Sequence, residues 1–172
     1  FGGEPEESHE RPGEEFAKGH YEQLVRAAGT ITVDDQTWTV DGMGLRDHSW
    51  GPRTWQAPWY YRWLTMNFSD GTGLMLSRVA RPDGAGTRGG FVWDGQGLHI
   101  VRDVTIRTDW SGADSYHSKV QATFSTARPG EDDGIQRTVT GEVMNLIPLR
   151  NRRDGRTTRI SEGLTRWHLD RA

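Results

Sequence analysis

Apolar and polar residues alternate with a period of two along most of this chain, and short clusters of Gly, Asp, Asn and Pro break the alternation repeatedly. That pattern predicts strands closed by tight turns, because successive side chains of a strand point to opposite faces while Gly, Asn and Asp accept turn geometries that other residues resist. "TITV" followed by "DDQTWTV" predicts a hairpin turning at Asp34 and Asp35. "YYRWLTMNF" passes through "SDGTG" into "LMLSRVAR", and "GGFVW" through "DGQG" into "LHIVRDVTIRTDW"; both are hairpins with Asp-Gly at the tip. "SYHSKVQATFSTAR", "IQRTVTGEVMNLIPLR" and "TTRISEGLTRWHL" follow, separated by "PGEDDG" and by "NRRDGR", a basic, solvated hairpin tip. No window carries apolar residues at helical spacing over three turns, and only "HYEQLVRAA" has the makings of a helical turn. The expectation is an all-β fold of about ten antiparallel strands, a barrel or a highly curved sandwich with little helix.

The alternation also assigns faces. In "LHIVRDVTIRTDW" the even positions hold Leu98, Ile100, Val104, Ile106 and Trp110, and the odd ones hold Asp103, Thr105, Arg107 and Asp109. This strand therefore has one wet face. Arg102 and Thr108 fall on the apolar side, which sets them at a margin or against a polar patch in a cavity, while Val101 departs in the other direction. Residues 1–19 are rich in Glu, Gly and Pro and read as a flexible acidic linker, leaving 20–172 as a single β-barrel domain.

Composition narrows the function classes. Only 33 % of the 172 residues are hydrophobic, and these include eight Trp, four Tyr and five Phe, so aromatic rings must supply much of the burial. Trp38, Trp50, Trp55, Trp59, Trp63, Trp93, Trp110 and Trp167 are spread over nearly every predicted strand, the distribution expected of a common aromatic interior. A net charge of −3 gives no attraction to nucleic acid or anionic membrane, and no apolar run is long enough to span a bilayer. There is no cysteine, so neither a disulfide nor a thiolate metal site is available. His48, His99, His117 and His168 show no metal-ligand spacing. Neither metal nor cofactor is expected, and a cytoplasmic location is favoured.

The densest chemistry lies in "GLRDHSWGPRTW", residues 44 to 55. Alternation puts Leu45, Asp47 and Ser49 on one face and Arg46, His48 and Trp50 on the other, before Gly51-Pro52 bends the chain toward Arg53 and Trp55. A positioned imidazole exchanges protons near neutral pH, whereas a satisfied core histidine and a turn-capping aspartate explain the same residues without chemistry. Ser49 and His48 point to opposite faces, so they form no nucleophile and base pair. Glu22, Glu142 and Glu162 sit in β-like or aromatic contexts as possible partners of Arg46 or Arg53, and "QAPWYYRW", with Trp59, Tyr61 and Trp63, suits a pocket rim.

"GLRDHSWGPRTW", "YYRWLTMNFSDGTG" and "SEGLTRWHL" together resemble the lipocalin-like proteins grouped around carotenoid hydratase, tocopherol cyclase-like proteins and Diels-Alderase-type cyclases. The resemblance is closest to an actinobacterial and proteobacterial branch whose C-terminal half is a domain of unknown function. It includes a "hYEQ"-like opening at His20, Tyr21, Glu22 and Gln23, and spans residues 20 to 169. It implies a calycin-type barrel with an apolar cavity, usually the second of two halves, with Asp47 and His48 as the acid-base pair. A missing first half would account for a chain that starts at Phe1.

Three functions follow as expectations. The first is binding of an apolar or isoprenoid-like small molecule in a Trp-lined cavity built from Trp50, Trp55, Trp59, Tyr61, Trp63, Trp93, Trp167 and Glu22. The second is a hydratase- or cyclase-type lyase or isomerase, with His48 exchanging the proton, Asp47 orienting it, Arg46 and Arg53 stabilising charge and Glu162 as auxiliary acid. The third is a structural half that packs against an N-terminal barrel or a second copy of the domain.

Overall fold

The computed structural model describes residues 19–52, 54–55, 58–81, 83, 86–112, 116–127 and 135–170. The predicted linker, up to residue 18, lies outside them. The described residues form nine strands and no helix: β1 (Gly19–Val33), β2 (Gln36–Trp50), β3 (Tyr60–Asn67), β4 (Gly73–Ala80), β5 (Gly86–Trp93), β6 (Leu98–Ser111), β7 (Tyr116–Ala127), β8 (Ile135–Arg153) and β9 (Arg156–Asp170). β1 and β2 make a two-stranded sheet, and β3 to β9 make a seven-stranded antiparallel meander in chain order, curled into a nearly closed barrel. The all-β expectation holds. The helical turn considered for "HYEQLVRAA" does not form, because β1 is paired with β2 without interruption from Gly19↔Trp50 to Val33↔Gln36.

Turn chemistry explains the meander. Asp34 (φ 52°), and the pair Asp154 (φ 51°) and Gly155 (φ 74°), supply the left-handed conformations that two-residue hairpins require. Between β5 and β6, Asp94 Oδ1 accepts the backbone N–H groups of Gln96 (2.9 Å) and Gly97 (2.8 Å), while Oδ2 meets His99 Nε2 at 2.7 Å. Those bonds hold the Asp94 carboxyl well below the usual carboxylate range.

Leu64, Met66, Leu74, Leu76, Val92, Val101, Val104, Val120, Ala122, Phe124 and Val139 fill the barrel. Three bulges decide which residues join them. Val101 pairs with Thr126 and Asp103 with Ser125, so Arg102 is the extra residue and parity changes there. Val101 and Val104 therefore both point inward, which corrects the simple even-odd assignment: Leu98 and Ile100 lie on the outer face instead. Ser118 is likewise skipped between Lys119 and His117, and Met144 between Val143 and Asn145.

The interior is not the common Trp cluster that composition predicts. No Trp belongs to the buried core; Trp38, Trp50, Trp59, Trp93 and Trp110 are exposed, and Trp55, Trp63 and Trp167 are half-buried. Aliphatic, Met and Phe side chains fit the narrow interior of a small barrel, and the wide indoles are left to its seam and outer surface.

One face of the β1–β2 hairpin lies on the outer surface of the barrel. Trp63 Nε1 donates to Glu22 Oε1 at 2.5 Å, and Leu24 fills the space where a Cβ on Gly73 would stand. Beyond this footing every residue from 26 to 39 is exposed, and the arm is braced by the paired Arg26 and Asp41 (2.9 Å).

Gly90 has φ +149°, and a Cβ there would collide with the Met75 carbonyl of β4. Gly90→Ala is expected to cost more than about 1 kcal/mol in urea denaturation. Leu76→Ala in the core should cost about 2–5 kcal/mol, and Gly97→Ala, with open space around its Cβ, less than about 0.5 kcal/mol.

Candidate functional site

β3 and β9 are the two edges of the seven-stranded sheet. They face each other across a cleft of about 220 Å³ that runs from the surface into the barrel. β3 contributes Tyr61, Arg62, Trp63, Leu64 and Thr65; β6 contributes Thr108 and Trp110; β7 contributes His117 and Val120; β9 contributes Ile160, Ser161, Glu162, Gly163, Thr165 and Trp167. Beside the cleft, Thr158 Oγ1 donates to the Trp55 carbonyl at 3.1 Å and ties the segment before β3 to β9.

Two basic side chains, Arg62 and His117, line the cleft. The Arg62 guanidinium lies over the rings of Tyr60 (5.2 Å) and Trp110 (5.1 Å), and its Nη1 donates to the Tyr61 carbonyl at 2.8 Å. Burial pushes its pKa down; Tyr60 opposes the shift and the charge of Arg78 adds to it. His117 stands edge-on to Trp110 (centroids 6.4 Å apart, 86° between planes), in the space a side chain at Gly163 would need. Burial, and then the nearby Arg62 charge, lower the His117 pKa, against the opposing pull of Glu162.

A second polar cluster lies behind Trp63, where the hairpin meets the barrel. His20 Nε2 bonds Asp47 Oδ1 at 2.5 Å and stands 3.7 Å from Glu22 Oε1. Glu22 is buried at 4 % exposure, and its Oε2 has no hydrogen-bond partner among the described residues. Burial raises the Glu22 pKa, opposed by the Trp63 bond and by His20, while the charge of Asp47 raises it further. No group of three His, Asp or Glu among the described residues has metal-binding geometry.

Tyr61, Trp63, Trp167 and Glu162, all proposed from sequence, are among the residues that line the cleft. Trp55 adjoins it through Tyr61, with centroids 6.2 Å apart. Glu22 backs Trp63 from outside. Arg46, His48 and Trp50 share a face as alternation requires, but that face is exposed and carries a stack with Tyr21. Arg46 lies 5.0 Å from the Tyr21 ring, and His48 lies 5.4 Å from Tyr21 and 5.8 Å from Trp50. Asp47 points to the other face and pairs with His20, so Asp47 and His48 do not meet. Trp59 is 65 % exposed, and Trp93 lines a separate shallow groove with Leu24, Met43 and Phe91. Arg53 lies outside the described residues.

Arg62, Trp110 and His117 are among the cleft residues that the sequence pattern did not mark as part of a site. Arg62 had a legible signal, since it shares the inward parity of Leu64 and Met66 on β3. His117 had none, because only the bulge at Ser118 turns it inward.

These features define an all-β, barrel-like domain with a side-opening aromatic cleft. The chain belongs to the DUF7064 family, described as a domain of unknown function, whose family model matches residues 3–171. No curated protein and no solved structure matches it.

Because the folded state raises the Glu22 pKa above its ordinary 4.5, it binds that proton more tightly than the unfolded chain does. The resulting stabilisation is full below pH 4.5 and is lost as pH rises through the raised value. Glu22→Gln, which keeps an acceptor for Trp63 without the charge, should exceed the wild type in urea midpoint at pH 7 to 8. Its advantage should shrink toward pH 4.

Proposed function

We propose that this domain binds a small apolar molecule, isoprenoid-like or aromatic, in the cleft between β3 and β9, as a lipocalin-like binding protein. The observation that carries this reading is one opening lined by Trp110 and Trp167, and by the β3 residues Tyr61 to Thr65, that also reaches the aliphatic core at Leu64 and Val120. Flat rings on opposite walls favour insertion of an apolar body, and a few polar groups among them fix its orientation. A cleft of about 220 Å³ suits a compact ligand, below the ~300–1,000 Å³ usual for drug-sized molecules. Acid-base chemistry by an Asp47–His48 pair loses its geometric basis, since the two side chains occupy opposite faces of β2.

The reading as a half that packs against another domain or copy has support of a different kind. Ile31 (54 % exposed), Val33 (56 %) and Trp38 (48 %) lie on one face of the projecting arm, where Ile31 and Trp38 are direct cross-strand partners.

Native mass spectrometry of protein purified from its source tests the binding function. A co-purifying apolar ligand should survive His48→Ala, which alters only the exposed face of the hairpin. Trp63→Ala or Trp110→Ala should weaken its retention by roughly tenfold or more. Retention that depends on His48 and ignores both indoles overturns the assignment to this cleft.

A further inference from the structure

We infer that the ligand of the β3/β9 cleft carries a carboxylate, and that the Arg62 guanidinium binds it. This inference rests on the binding function proposed above and specifies its ligand.

Arg62 is half-buried on the inward face of β3, in line with Leu64 and Met66. Burying a cation is costly unless an anion or several acceptors compensate it. Arg62 has one carbonyl, that of Tyr61, and two ring faces, those of Tyr60 and Trp110. Its cross-strand neighbour Arg78, also half-buried, adds to the excess charge and leans on the same Tyr60 ring at 5.8 Å. Among the described residues neither arginine is in an ion pair.

Among the described residues no acid pairs with Arg62. Asp103 pairs with Arg88 at 3.0 Å, Glu22 is on the far face of β3 bonded to Trp63, and Glu162 is an exposed residue of the cleft wall whose charge acts on His117. Among the described residues the guanidinium charge of Arg62 in the cleft has no ion-pair partner. A planar guanidinium with free N–H groups matches a carboxylate in a two-bond fork. The apolar remainder of such a ligand then lies along Trp110 and Trp167. Glu162 in the same cleft disfavours a dianion such as a phosphate ester, because like charges repel in a partly desolvated site. A compact aromatic or aliphatic monocarboxylate satisfies all of these constraints.

Calorimetric titration of the full chain at pH 7 with 2-naphthoate and, separately, with 2-naphthylmethanol tests the inference, since the two probes share a body and differ in charge. The wild type should bind the acid at least about tenfold more tightly than the alcohol. Arg62→Gln, checked by circular dichroism and urea midpoint for intact folding, should erase that preference. Arg62→Lys, which keeps the charge and loses the fork, should retain only part of it. Equal binding of acid and alcohol by the wild type, or a preference that survives Arg62→Gln, overturns the carboxylate assignment and leaves the cleft as an apolar site. Tighter binding of 2-naphthyl phosphate than of 2-naphthoate also overturns it. Failure of both naphthalene probes to bind at millimolar concentration overturns the carboxylate assignment and the binding function together.

Discussion

The structure depends on a sheet that curls almost into a barrel and does not complete its hydrogen bonding. Seven strands in a meander leave β3 and β9, among the described residues, with a strand partner on one side alone, and the outer backbone groups of such an edge are not satisfied by a ladder. In a closed barrel those groups would pair with one another and the interior would be sealed. Here side chains occupy the gap, and indole, guanidinium, imidazole and carboxylate groups gather at this one place. The seam exposes the edges to water and to small ligands, while Trp63, Arg62 and Glu162 guard them with bulk and charge. Such guarding discourages another strand from adding to the sheet.

The β1–β2 hairpin serves the same arrangement from outside. Its footing through Glu22 and Leu24 covers the outer face of the strands that carry Trp63 and Gly73, so the cleft has a firm back wall. That footing includes a carboxyl with one oxygen unsatisfied, a cost that the surrounding packing absorbs. The opposite face of the hairpin keeps the Tyr21, Arg46, His48 and Trp50 stack in the open. The conspicuous family-like signature therefore works on both faces at once: its Asp47 joins His20 at the junction with the barrel, and its His48 stays outside.

Much of the strand content was legible because it is encoded locally. Asp-Gly turns, alternation and the lack of helical periodicity mark the hairpins directly, and the tips at Asp34, Asp94 and Asp154 fall where the turn residues stand. The site was legible only in part. Tyr61, Trp63, Trp167 and Glu162 could be proposed as aromatic or acidic residues in strand context, but so could Trp50, Trp59 and Trp93, which point elsewhere. An indole on a strand reads the same whether its face looks into a cleft or into water. Bulges were the other obstacle: one extra residue inverts the parity of everything beyond it, and neither Arg102 nor Ser118 announces itself as that residue.

By itself the sequence determined the class of fold, the hairpin tips, the separation of Arg46, His48 and Trp50 from Asp47 across a strand, and the lack of thiol chemistry. These follow from dihedral preferences and the two-residue period, which act over a few neighbours. Only the tertiary structure decided that β3 and β9 approach without pairing, that Arg62 of β3 meets the Trp110 ring of β6, and that Glu22 is buried against Trp63. Those contacts join residues 41 to roughly 100 positions apart. Their placement depends on the accumulated twist and bulges of seven strands, a global quantity that no local pattern of residues contains.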